Sequence, residues 1–185
     1  MRRNIPVQDE HHQKARLFFA LWPAPALRRQ LHALAMQTQE EAGGRAMRAE
    51  TLHMTLLFLG EVPLAHIAKL EQAADAVEFE AFAFALEQLS CWRHNQIVYA
   101  APAQAVPPLQ ALAQQLRTAA DRAGIDYDKR DFTPHVTLLR KEQHPPERRA
   151  LVLPPWQVQE FALVESVTAG PGVRYRSLRR WACQG

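Results

Sequence analysis

Cysteine, serine and glycine are all scarce in this chain of 185 residues, and each scarcity removes a class of chemistry. The two cysteines, Cys91 and Cys183, form no CxxC pair. That leaves neither a cysteine-ligated zinc site nor a disulfide framework supported, and both thiols read as idle in a reducing compartment. The three serines, Ser90, Ser166 and Ser177, supply no GxSxG turn, so a serine hydrolase has no foothold. Seven glycines make neither a P-loop nor a GxGxxG run, which disfavours ATP-driven chemistry. No HExxH-type cluster suggests a metal, and no cofactor is expected. No apolar run approaches the ~20 residues of a membrane span. The first fifteen residues, MRRNIPVQDEHHQKA, lack the apolar stretch of a signal peptide and read as a polar tail, with His11-His12 a solvated pair. The expectation is a cytoplasmic monomer with one domain over residues 16–185.

What remains is an ordinary globular composition, 48% apolar and 22% charged, in a chain long enough to bury a core without staples. The formal charge is +3, and arginine outnumbers lysine by 18 to 4. That balance suits a phosphate-bearing substrate without requiring one, because guanidinium forks pair equally well with protein carboxylates.

Hydrophobic spacing gives a coarse order of elements. Arg16 to Trp22 (RLFFALW) reads as a strand. Pro23 and Pro25 open a helix that carries Leu27, Leu31 and Leu34 on one face and stops at Gly43-Gly44. A short strand at Arg45 to Arg48 and a longer one at Leu52 to Leu59, ended by Gly60, follow. A second helix spans Leu64 to Val77. Strands are expected at Phe79 to Leu89 and Ile97 to Ala101. A third helix runs from Val106 to Ala123, striped by Leu109, Leu112, Ala113 and Leu116, with Gly124 as its stop. His135 to Leu139, Trp156 to Val167 and Val173 to Trp181 close the set as strands, with a turn around Gly170-Pro171-Gly172.

One phrase occurs twice: His53-Met54-Thr55-Leu56 and His135-Val136-Thr137-Leu138. Random placement of this composition gives ~0.04 copies of His-x-Thr-Leu, so two copies carry weight. On a strand, residues i and i+2 share a face, so each phrase offers an imidazole and a hydroxyl side by side. Each also ends a strand–helix–strand unit of similar length. Two such units about a pseudo-two-fold axis would bring the pairs face to face. The set supplies two acid–base groups and two hydrogen-bond donors, the parts that phosphodiester cleavage needs.

These residues resemble a known pattern. RLFFALWP, LHMTLLFLGEV, FTPHVTLLR, FALVESV and YRSLRRW, in that order, are similar to the two-histidine (2H) phosphoesterase superfamily. Within it they resemble the bacterial RNA 2′,3′-cyclic phosphodiesterases, also called 2′-5′ RNA ligases. Met54 in place of the more usual Leu, and a longer polar tail, are the departures. The resemblance implies an α+β fold, bilobal, with two antiparallel sheets in pseudo-two-fold relation flanking a central cleft and helices on the outside. It implies His53 as proton donor to the leaving oxygen, His135 as proton acceptor from water, and Thr55 and Thr137 as phosphate-binding hydroxyls. Its implied activity is metal-independent opening of RNA 2′,3′-cyclic ends to 2′-phosphomonoesters, with reversible 2′-5′ ligation as a companion.

Further candidates are weaker. Arg140 follows the second motif, but alternation from His135 puts it on the opposite face unless the strand twists or bulges. Tyr175 and Arg176 line the cleft if the last strand is not simply an exposed edge. Phe132 and Trp156 are candidates for stacking a base, while Phe19 and Phe58 suit the core better. Arg174 to Arg180 either track an RNA backbone or guard an edge strand with charge. The competing functions are a phosphodiesterase for small cyclic phosphates such as ADP-ribose 1″,2″-cyclic phosphate, one for 2′-5′ oligonucleotides, and a non-catalytic RNA- or nucleotide-binding module. A pure binder, however, has no need of two imidazoles.

Overall fold

The structure, a computed structural model, describes residues 13–169 and 172–184. Strand β1 (Lys14–Leu21) starts inside the stretch read as a tail. Leu17, Phe19 and Leu21 face the main core while Phe18 and Ala20 join a second, smaller apolar cluster on the other face, which is why the segment reads as one continuous apolar run. Residues 1–12, His11-His12 among them, lie outside the described residues.

Helix α1 (Pro25–Ala42) begins with proline in its first turn and buries Leu27, Leu31 and Ala35. Gly43 and Gly44, both with positive φ, then turn the chain into the two-residue strand β2 (Arg45–Ala46). After a 3-10 turn at Ala49–Thr51 comes strand β3 (Met54–Pro63). It runs through Gly60 rather than stopping there, because that residue takes φ 70° beside a register shift against β1. Helix α2 (Leu64–Ala74) ends three residues earlier than its pattern suggests, in tighter turns closed by the Ala76 and Val77 N–H groups.

The Phe79–Leu89 segment splits into β4 (Phe82–Phe84) and β5 (Gln88–Trp92), because its halves find different partners. Strand β6 (Ile97–Ala101) and helix α3 (Pro107–Ala123) follow the sequence pattern, the helix ending on left-handed Gly124. Strands β7 (Val136–Arg140), β8 (Arg149–Ala150), β9 (Trp156–Val158), β10 (Glu160–Ala169) and β11 (Gly172–Ala182) complete the fold. The expected Trp156–Val167 strand is likewise divided: β9 leaves to pair with β4, where Trp156 stacks on Phe84 at 5.6 Å. Trp156 is therefore a core residue and no base platform.

Every pairing among the named strands is antiparallel, and the order is β11-β10-β1-β3-β7-β6-β5-β8 with β2 against the far end of β7. The two halves, β11-β10-β1-β3 and β7-β6-β5-β8, meet through one residue pair, Met54 with Val136. These are the second residues of the two repeated phrases. Antiparallel pairing of equivalent residues is what a local two-fold axis requires. The helices obey it too, since α1 from the first half packs on β7 and α3 from the second packs on β3. The fold is the bilobal α+β arrangement with helices on one side and a cleft on the other. Among the described residues no helix is long and apolar enough to cross a membrane.

The α1–β2 corner has no slack. A Cβ on Gly44 would lie 2.7 Å from the Lys141 carbonyl oxygen and 2.8 Å from that of Arg140, at a φ of 80°. Gly44→Ala is expected to cost about 1–3 kcal/mol in equilibrium urea unfolding. Gly172→Ala, with nothing within 4 Å of its Cβ, is the control and should change little. Equal effects of the two would contradict this account of the corner.

Candidate active site

Each repeated phrase begins one residue before its strand, so His53 and His135 stand at the entrances of β3 and β7, on either side of the Met54–Val136 pair. Both line a single cleft of about 1330 Å³, and Thr55 and Thr137 line it beside them. Arg140 and Tyr175 line it as well. These six share one cavity, whereas Arg176, Phe132 and Trp156, also candidates from the sequence, are not among the residues lining it.

The two imidazoles are held by the same device. The Nδ1–H of His53 donates to the Thr51 carbonyl and that of His135 to the Thr133 carbonyl, each at 2.7 Å. A carbonyl only accepts, so Nδ1 carries the proton and, in the neutral ring, Nε2 is a bare lone pair. Thr55 Oγ1 lies 3.1 Å from the Nε2 of His53, placed to donate to it. The accepting carbonyls sit two residues before each histidine, and the full repeat is Thr-x-His-x-Thr-Leu-Leu, three residues longer than the His-x-Thr-Leu tetrapeptide.

The same bulge occurs in both halves. Between Ala20↔Thr55 and Phe19↔Leu57 the extra residue is Leu56; between Tyr99↔Thr137 and Val98↔Leu139 it is Leu138. Two consecutive leucines are thereby buried in each strand, and the alternation shifts by one. This resolves the facing of Arg140: beyond the bulge it turns to the face of Thr137 and into the cleft. Its counterpart in the first half, Phe58, does the same, so Phe58 is a cleft residue, with the Arg16 guanidinium 5.0 Å over its ring, and not the core residue expected. Phe19 is in the core as expected, and Phe132 packs partly buried against it.

Aromatic walls that single-strand patterns did not reveal surround the imidazoles. Phe18, Trp22 and Tyr175 lie 5.0, 5.5 and 5.0 Å from His53 by ring centroids. Trp92 and Tyr99 lie 4.6 and 5.8 Å from His135. Phe18 and Tyr99 come from β1 and β6, the strands paired with β3 and β7, and Trp22 follows β1; Tyr175 and Trp92 come from β11 and β5, which pair with neither motif strand, so no pattern near the motifs could reveal them. The enclosure has an electrostatic result. Burial lowers the His53 pKa to about 4, partly offset by its backbone hydrogen bond, with His135 and Arg140 adding repulsion. Burial lowers the His135 pKa as well, partly offset by its backbone hydrogen bond to Thr133, with Arg140 adding repulsion.

The C-terminal arginines are mostly spoken for. Arg176 binds Glu165, Arg179 binds Asp75, and Arg180 binds Glu160. That pairing overturns the idea that Arg174 to Arg180 track a nucleic-acid backbone as a group; of the four arginines only Arg174 lines the cleft. Arg48 lines it too and ties the loop before His53 to β11, donating to the Val173 carbonyl at 2.6 Å.

Comparison with known proteins gives the same picture. The model of the 2′-5′ RNA ligase superfamily matches residues 23–168. The Escherichia coli protein named RNA 2′,3′-cyclic phosphodiesterase is 35% identical over 90% of this chain and 96% of its own length. Its namesake from Archaeoglobus fulgidus is 27% identical over 89% of this chain and 98% of its own. The crystal structure of Escherichia coli LigT complexed with 3′-AMP superposes with a TM-score of 0.81 at 32% identity, covering 94% of this chain and all of that one. With two thirds of the chain and more inside the family model, and the fold and repeat to match, this protein belongs to the 2′-5′ RNA ligase superfamily.

Proposed function

We propose that this protein is a phosphodiesterase that opens 2′,3′-cyclic phosphate ends of RNA to 2′-phosphomonoesters, with His53 and His135 as its acid–base pair. The observation that carries it is the pair of bare Nε2 atoms presented to one cleft by mirrored strands, each with a threonine hydroxyl on the same face. Four relatives bearing the name RNA 2′,3′-cyclic phosphodiesterase support the substrate class.

The reaction adds water across the P–O3′ bond. Water attacks phosphorus in line with the leaving 3′ oxygen, giving its proton to one Nε2, while the other, protonated, delivers a proton to O3′. Thr55, Thr137 and Arg140 donate to the non-bridging oxygens where charge gathers. Tyr175 packs edge-on against His53 and forms part of the wall against which substrate sits. Family resemblance makes His53 the donor and His135 the acceptor. In the free protein, however, burial holds the His53 pKa at about 4, against protonation near neutral pH. The assignment therefore needs the bound phosphate's negative charge to raise His53, and the phosphate lying against Thr55 is placed to do so. A cytoplasmic enzyme acting on cleaved RNA fits these features, and 2′-5′ ligation is the same in-line step with a 5′ hydroxyl in place of water, each histidine keeping its role.

A cyclic-phosphate-ended oligonucleotide incubated with the protein in EDTA and followed by phosphorus NMR should yield the 2′-phosphomonoester. A 3′-phosphomonoester, or no turnover, would reject the proposal. His53→Ala and His135→Ala should each lower kcat by ~10²–10⁴, the range for lost acid–base catalysis. A substrate with sulfur in place of the 3′ oxygen has a leaving group that needs no proton. It should restore turnover to the His53 variant and not to the His135 variant, and the opposite rescue would reverse the roles.

The pH profile has a definite sign. Catalysis needs one imidazole protonated and one neutral. For the free enzyme that state peaks between the two pKa values, about 4 and a value below the usual 6.5. The kcat/KM bell should therefore centre on the acid side of pH 6.5. Arg140→Met removes a cation that disfavours both imidazolium forms, so it should move both limbs to higher pH as well as slow the reaction. An unmoved profile would remove Arg140 from the electrostatics of the site.

A further inference from the structure

Arg45 has no place in the chemistry above, and its position is unfavourable without a ligand. Strand β2 is two residues long, and it sets Arg45 opposite Arg140 in antiparallel register. Like charges directly opposite destabilise such a pair. The Gly44 corner, packed against the carbonyls of Arg140 and Lys141, keeps β2 from backing away. Some exposed arginines find carboxylates, Arg48 with Glu50, Arg149 with Glu41 and Arg176 with Glu165, while Arg16 and Arg174 line the cleft without one among the described residues; only Arg45 and Arg140 are set directly opposite each other. Among the described residues, neither Arg45 nor Arg140 makes an ion pair, and both face the cleft.

The two-fold axis sharpens the contrast. The strands β3 and β7 leave the Met54–Val136 pair in opposite directions, so Phe58 and Arg140 mark opposite ends of the cleft. At the Phe58 end the chain alongside is Asp128, whose N–H donates to the Phe58 carbonyl at 2.9 Å and whose carboxylate is taken by Arg130. The cleft thus has one end where the Arg16 guanidinium lies over the Phe58 ring, with Lys14 and Glu61 beside it, and one end where two guanidinia, Arg45 and Arg140, stand directly opposite each other, the doubly cationic end. At the cationic end Arg140 is the nearer to the imidazoles, since its charge acts on both of them, and no such effect comes from Arg45. One phosphate at the histidines engages Arg140. A second guanidinium beside it calls for a second phosphate.

We propose that Arg45 holds the phosphoryl group on the 5′ oxygen of the nucleoside whose 2′,3′-cyclic phosphate lies between the histidines, so that the site selects a substrate with two phosphates. This rests on the function proposed above. In an RNA strand that group is the internucleotide diester; in a mononucleotide it is a 5′-phosphate. Binding it offsets the repulsion between Arg45 and Arg140 and fixes which way the strand lies in the cleft, with the chain leaving by the β2 end.

The test compares kcat/KM for three substrates: a nucleoside 2′,3′-cyclic phosphate with a free 5′ hydroxyl, the same compound with a 5′-phosphate, and a dinucleotide ending in the cyclic phosphate. The wild-type protein should prefer the dinucleotide over the free nucleoside compound. Arg45→Gln should shrink that preference about 10-fold, the scale of one charge-assisted hydrogen bond at an open site, and Arg45→Lys should restore most of it. Loss on both phosphate-bearing substrates assigns the subsite to the phosphoryl group as such, and loss on the dinucleotide alone assigns it to the strand; either supports the proposal. An unchanged preference in Arg45→Gln overturns it, whether or not the absolute rates fall, and so does a preference that is lost in Arg16→Gln instead. Absence of turnover of all three by the wild-type protein would bring down the function itself and the subsite with it.

Discussion

Met54 and Val136 pair across the centre of the molecule, and the geometry of the site follows from that one antiparallel contact. Because the paired residues occupy equivalent places in two copies of one phrase, each residue of the first copy has its counterpart rotated half a turn away. His53 is thereby matched with His135, and Thr55 with Thr137. Both imidazoles arrive in one cleft without any loop having to be threaded between them. The contact is a single pair, so the halves part on either side of it, and that parting is the cleft. Its stability comes from elsewhere: α1 of one half packs beneath β7 of the other, α3 beneath β3, and the leucines on those faces form one continuous core through both lobes.

Rigid placement of the rings matters because a proton has to move along a defined line. Each ring is fixed at its inner nitrogen by a carbonyl of its own chain and walled by aromatics from other strands of the sheet, which leaves Nε2 as the atom presented to the cleft. The walls that orient the rings also remove water from them, and the lowered pKa values are the electrostatic consequence. A free site of this kind holds neutral bases beside a nearby guanidinium. It is complementary to an anion, which supplies the negative charge that both an imidazolium and Arg140 need nearby.

The sequence revealed those parts of this arrangement that depend on a local period. Thr55 follows His53 at a spacing of two, and Leu109, Leu112 and Leu116 recur at helical spacing, so motif and helix could both be recognised before any partner was known. Parts that depend on register with another strand were hidden. The bulges at Leu56 and Leu138 exist only relative to β1 and β6, and they alone decide that Phe58 and Arg140 face the cleft. The division of Phe79–Leu89 reflects a choice between β6 and β9 as partners, which no local pattern encodes. Arg176, Arg179 and Arg180 look like a basic patch in sequence because their neutralising partners, Glu165, Asp75 and Glu160, lie at least eleven residues away.

A symmetric scaffold is a poor fit to an asymmetric reaction, and here the symmetry is broken at a small number of positions. Hydrolysis of a cyclic phosphate needs one acid and one base, yet the two-fold delivers two histidines with the same tautomer. The difference is supplied by what surrounds them. His53 is enclosed by three rings and His135 by two, and burial holds the His53 pKa at about 4. The substrate must also enter one way round, and equivalent positions 58 and 140 supply that distinction by holding a phenyl ring in one half and a guanidinium in the other. A phosphodiester chain is charged along its backbone and aromatic along its bases, so a cleft with two opposed guanidinia at one end and a phenyl ring under a single guanidinium at the other binds it better in one orientation than in the reverse. The backbone keeps the duplicated geometry that aligns the reacting groups, while single side chains, changed without disturbing the strand register, give that geometry a direction.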